Sequence, residues 1–119
     1  MSDENFKTVT YTSTSGGVAV TGRAKLVGFG VSDANATASG TPDITTQGLI
    51  QLRDSDSTGG NILLTIPIAS TQDYPTDEHT VFADEDAYIL FENGIRVEEV
   101  VVTGKTHPLD SMNILLTYG

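Results

Sequence analysis

The segment Gly48-Leu49-Ile50-Gln51-Leu52-Arg53-Asp54-Ser55-Asp56-Ser57-Thr58-Gly59-Gly60-Asn61-Ile62-Leu63-Leu64-Thr65-Ile66-Pro67-Ile68 decides the fold class. Ile50 and Leu52 stand two residues apart, and so do Ile62, Leu64, Ile66 and Ile68. Apolar residues at period two line one face of a strand, whereas a helix groups them at three and four. The connecting Asp54–Gly60 run consists almost wholly of turn formers. Two strands joined by such a run form a hairpin with a long loop. Pro67 has no N–H for a ladder, which sets that strand end at an edge or a bulge.

The same pattern continues toward the N-terminus. Ser32–Gln47 is a polar surface loop, with a short edge strand at Ile44 as an option. Arg23–Val31 is a strand with Val27, Phe29 and Val31 on one face. Gly28 and Gly30 thin it for close packing or a bulge. Val18 and Val20 begin another strand, preceded by a turn at Ser13–Gly17. Lys7–Thr12 alternates Val9 and Tyr11 against Thr8, Thr10 and Thr12.

Toward the C-terminus, Ala69–Glu78 reads as a second polar loop, with Val81 and Phe82 packing beneath it. The apolar run Ala87–Phe91 leads into Glu92-Asn93-Gly94. Asn-Gly is a strong hairpin signal because both residues accept positive φ. Ile95 and Val97 start the returning strand. The apolar phase then slips, so a bulge at Glu98-Glu99 is expected to bring Val100 and Val102 inward. Gly104–Asp110 is a turn region, and Met112, Ile114, Leu116 and Tyr118 share a face of the last strand.

About eight short strands without an amphipathic helix predict an all-β, antiparallel β-sandwich or jelly roll with a short N-terminal arm. Residues 1–12 are the arm, or an added strand, and residues 13–119 form one β-sandwich domain. A chain of 119 residues suits one domain and buries roughly two thirds of its unfolded surface without a covalent staple.

Sixteen acids against six bases give a formal charge of −10. Such a surface repels phosphate and anionic leaflets, so neither nucleic acid nor membrane is an expected partner. It keeps many copies soluble side by side. The absence of Cys excludes disulfides and thiolate metal sites. The polar start Met1–Asn5 has neither the basic nor the apolar region of a signal peptide, and no apolar run spans a bilayer.

Each motif with possible chemistry is weaker than its plain reading. Gly104-Lys105-Thr106 ends like a phosphate loop, but Glu99 stands where the first Gly belongs. Gly28-Phe29-Gly30 opens like a dinucleotide fingerprint, but Asp33 replaces the third Gly. Asp54-Ser55-Asp56-Ser57-Thr58-Gly59 places carboxylates as a calcium loop does, yet Thr65 fills the twelfth position. Asp84-Glu85-Asp86 reads as exposed charge. His79, near Asp77 and Glu78, and His107 are too few for a three-histidine zinc site. Asn35-Ala36-Thr37 fits a glycosylation acceptor that stays idle without export. No residue stands out as a nucleophile, and acid pairs arise by chance among sixteen. The expectation is no catalytic residue, no metal, no cofactor and no enzyme.

The residues with interface character are Phe6, Lys7, Val9 and Tyr11, because aromatic side chains leading into a strand can dock on a neighbour. They are the predicted partner or oligomer interface.

The stretch from Ala24 to Gly119 resembles short virion proteins of tailed bacteriophages. The likeness rests on Lys25-Leu26-Val27-Gly28-Phe29-Gly30-Val31, the Gly48–Ile68 hairpin, Ile89-Leu90-Phe91-Glu92-Asn93-Gly94-Ile95-Arg96-Val97 and Asn113-Ile114-Leu115-Leu116-Thr117-Tyr118-Gly119. It implies a β-sandwich that decorates or cements a capsid, often as a trimer, or sits in the neck or tail. The expected partners are then a major capsid protein and further copies of the chain, in a homotrimer. The location is the virion, assembled in the host cytoplasm. A neck, tail or fibre component, and a carbohydrate- or calcium-binding β-module using Asp54–Gly60 and Asp84–Asp86, are the alternatives.

Overall fold

The computed structural model describes residues 6–33, 47–68, 80–81, 88–105 and 107–119. Two antiparallel sheets pack face to face as a β-sandwich. The first holds β1 (Lys7–Tyr11), β3 (Ala24–Asp33), β6 (Thr80–Val81), β7 (Ile89–Phe91) and β9 (Met112–Tyr118). Its order is β1-β9-β3, and β6 and β7 share the far side of β3. The second sheet runs β2 (Gly17–Thr21), β8 (Gly94–Val101), β4 (Gly48–Asp54) and β5 (Asn61–Ile68).

The alternation read from the sequence builds the shared core. Ile50 and Leu52 of β4, Ile95 and Val97 of β8, Leu26 of β3, and Ile114 and Leu116 of β9 are fully buried. Each such side chain contributes about 1.5–3 kcal/mol on burial. β1 is part of this packing: Tyr11 lies opposite Ile114 and belongs to the core, with Val9 packed beside it.

Bulges set which residues reach the core, and they sit in β2, β3 and β5. Pairing of β3 with β9 steps from Leu26↔Tyr118 to Gly28↔Thr117, leaving Val27 between them. Leu26 therefore faces in before the step, and Phe29 and Val31 face in after it. Val27 does not share their phase. In β5 the step falls at Leu63, so Leu64, Ile66 and Ile68 face inward, while Ile62 lies opposite Arg53 on the outer face and is 43% exposed. In β2 the unpaired residue is Ala19.

The bulge expected at Glu98-Glu99 does not form. β8 runs in unbroken register against β4, from Gly48↔Val101 to Asp54↔Ile95. Val100 then shares the outer face with Leu49, and Val100 and Val102 are exposed. The acidic pair needs no bulge because each carboxylate has a partner. Glu98 points outward to Arg53 and Arg96. Glu99 accepts the Leu109 N–H at 2.9 Å and lies 3.2 Å from His107 Nδ1.

Asn93-Gly94 is not a hairpin turn either. β7 pairs with β3 in one sheet and β8 with β2 and β4 in the other, so this corner carries the chain between layers. Among the described residues only glycines have positive φ, so Asn93 does not, which rules out the paired left-handed geometry of an Asn-Gly hairpin. The corner's polar groups are used elsewhere. Asn93 N–H donates to Asp54 Oδ1 at 2.8 Å, Gly22 N–H to Asn93 O at 3.1 Å and Ser55 N–H to Gly94 O at 3.2 Å.

The turn region expected at Gly104–Asp110 includes one helical turn, α1 (Pro108–Ser111), with Pro at the first position. Pro suits that place because its missing N–H is not needed there. Pro108 and Leu109 close one end of the core.

Candidate functional site

β1 is the outermost strand of its sheet among the described residues, paired with β9 from Lys7↔Tyr118 to Tyr11↔Ile114. The four residues predicted as an interface divide there. Tyr11 is buried, and its hydroxyl donates to the Ser15 carbonyl across the corner that leads to β2. Val9 is half-buried against the core. Phe6 is 44% exposed, with its ring close to Gly119, and Lys7 is exposed. Tyr11 and Val9 thus root the strand, and Phe6 and Lys7 are available to a partner. Gly119 is itself held by reciprocal hydrogen bonds with Lys25, at 3.0 and 2.9 Å. Lys25 Nζ stands 4.9 Å from the ring of Tyr88, a second exposed aromatic just ahead of β7.

The outer face of the other sheet carries a charged cluster that the sequence reading did not assemble. Arg96 Nε lies 3.1 Å and Arg53 Nε 3.4 Å from the same oxygen of Glu98. The Arg53 contact is electrostatic rather than a directed hydrogen bond, since that nitrogen is buried and has no hydrogen-bond partner. Arg53 also donates to Gly60 O at 2.9 Å and Gln51 Oε1 at 3.2 Å, and Arg96 donates to Ser57 O. Both guanidiniums therefore tie the β4–β5 loop to the sheet. The register would have revealed them: Arg53 and Arg96 each follow an inward residue by one, and the ladder sets them side by side.

That loop is held by its own hydroxyls. Ser55 Oγ accepts from Ser57 N–H at 3.0 Å and donates to Thr58 O at 3.1 Å, while Asp54 serves the Asn93 corner. Among the described residues no group of three or more His, Asp or Glu gathers as a metal site requires. Gly104-Lys105 lies in a turn closed by Lys105 N–H to Val102 O at 3.0 Å. His107 is exposed beside Glu99. Asn35, Ile44, Asp77, Glu78, His79, Phe82 and Asp84–Asp86 lie outside the described residues. No helix among the described residues is long and apolar enough to cross a membrane.

No family model matches this chain, and neither a curated protein nor a solved structure matches it.

Proposed function

We propose that this chain is a structural protein of a tailed-phage particle that binds the assembled capsid as a decoration or cement protein, with the β1 edge as its contact. The likeness of Ala24–Gly119 to such proteins motivates the reading, and the β-sandwich architecture agrees with what that likeness implies. The observation that carries the choice of surface is the division within β1. Phe6 and Lys7 stand exposed at an outermost strand, and Tyr11 fixes the same strand in the core. A contact segment built this way loses little freedom on docking, and pre-organisation favours affinity. The mechanism is mass action: many copies bind the assembled shell in preference to its parts and so stabilise it.

The test mixes purified protein with shells that lack it. Co-sedimentation and a raised shell melting temperature are expected, and Phe6→Ala with Lys7→Glu lowers the bound fraction while the free protein stays folded. A folded protein that neither sediments with shells nor changes their melting overturns the reading. A label found only at the tail or neck of intact particles replaces the capsid with that location.

A further inference from the structure

Among the described residues β5 is the outermost strand of its sheet, and at eight residues it is longer than the edge strands β1 and β2, of five each. Its sequence Asn61-Ile62-Leu63-Leu64-Thr65-Ile66-Pro67-Ile68 contains no charge, in a chain of net −10. Long uncharged edges pair with other strands, and proteins that must avoid this place lysines, prolines or bulges on them. β5 has no lysine, and its bulge at Leu63 and its proline at Pro67 confine further pairing to the short run around Thr65.

The backbone direction of this edge follows from Pro67. It lies opposite Leu49 in β4, and a proline in a ladder keeps its nitrogen on the side away from the partner. Thr65, two residues earlier and in continuous register, turns its N–H and C=O to the same open side. The Thr65 side chain is exposed on the outer face, while Ile66 is buried and Leu64 half-buried on the inner one.

We infer that β5 pairs antiparallel with β5 of a second copy about a two-fold axis at Thr65, joining two four-stranded sheets into one. The occupant is a second copy because the strand complements itself. Thr65 meets Thr65, with two reciprocal N–H to C=O bonds. Leu64 meets Ile66 on the core side. Leu63 meets Pro67, which accepts but cannot donate, so the paired run ends there. The absence of charge matters equally: two molecules of charge −10 repel, and this edge brings no carboxylate onto another. The inference is independent of the capsid reading, which uses the opposite sheet's edge. A two-fold contact gives a dimer, whereas the phage likeness implies a trimer.

The test is solution mass by light scattering over a concentration series. The expected mass at high concentration is twice 12.6 kDa. Thr65→Lys sets two like charges opposite each other and raises the dissociation constant by about tenfold or more. Thr65→Val, which keeps the backbone and the β-branched shape, dimerises as the parent does. The chain has no Cys, so Thr65→Cys gives a clean readout: oxidation links two copies through this residue alone. That linkage decides the matter should the Lys variant misfold. A monomer at every concentration, a trimer, or a dimer that persists in folded Thr65→Lys overturns the inference.

Discussion

At the scale of single residues, the corner at Gly94 has no room for a side chain. Its φ is +146°, and a Cβ there would stand 2.6 Å from Val20 O and 2.9 Å from Ser55 O. All the obstructing atoms are backbone, of β2 and of the β4–β5 loop, so nothing yields cheaply. Gly94→Ala is expected to destabilise by roughly 3 kcal/mol or more, combining strain with a clash. Gly22 makes the comparison: its φ is +86°, yet a Cβ would meet nothing within 4 Å. Gly22→Ala should cost only about 1 kcal/mol, the backbone term alone. Urea midpoints of the two variants check the difference, and equal losses would mean that the close approach is not what matters. Tyr11 offers a further test. Its hydroxyl bond to Ser15 O ties the β1–β2 corner, and Tyr11→Phe is expected to lose about 1 kcal/mol while leaving the ring packed.

At the scale of elements, the strands were legible, but of their bulges only the one beside Gly28 was among the options. Period-two spacing located β4, β5 and β9 because each keeps its apolar face against one core. It misplaced Val27 and Ile62 because one unpaired residue reverses the phase of everything beyond it, and that residue is chosen by the partner strand. The Asn93-Gly94 signal failed for a related reason. The dipeptide's local preference gave way to bonds with Asp54, Gly22 and Ser55, which are distant in sequence. Of the candidate interface, the exposed Phe6 and Lys7 were legible as an aromatic and a base leading into a strand. For Tyr11 the sequence left a core and an interface place equally open, and its pairing with Ile114 decides for the core. Glu99 was misread as part of a bulge, though it secures α1 by accepting the Leu109 N–H. Glu99→Ala should therefore cost roughly 0.5–2 kcal/mol, in the range of a lost helix cap. Faster amide exchange at Leu109 than in the strands would show that the loss is local.

At the scale of the whole molecule, charge and edges are separated. All six bases, but only seven of the sixteen acids, fall among the described residues. The other nine acids lie at 1–5, 34–46, 69–79 and 82–87. The strands and their close turns thus carry nearly balanced charge, and the excess is held outside them in sequence. This arrangement lets a strongly acidic chain keep an uncharged edge at β5. Repulsion between two copies is then a long-range term, set by net charge, while the edge supplies the short-range attraction. Salt separates them, since the screening length falls from about 30 Å at 0.01 M to about 10 Å at 0.1 M, and backbone pairing is insensitive to it. Self-association through β5 is accordingly expected to strengthen as salt rises over that range, measured as the dissociation constant by sedimentation equilibrium. The Thr65→Lys variant should show little association at either salt level. Association that weakens with added salt would mean that opposite charges hold the copies together. Lys7, Arg23, Lys25 or Lys105 on one copy would then be meeting the acidic segments of the other, and the β5 edge would be free.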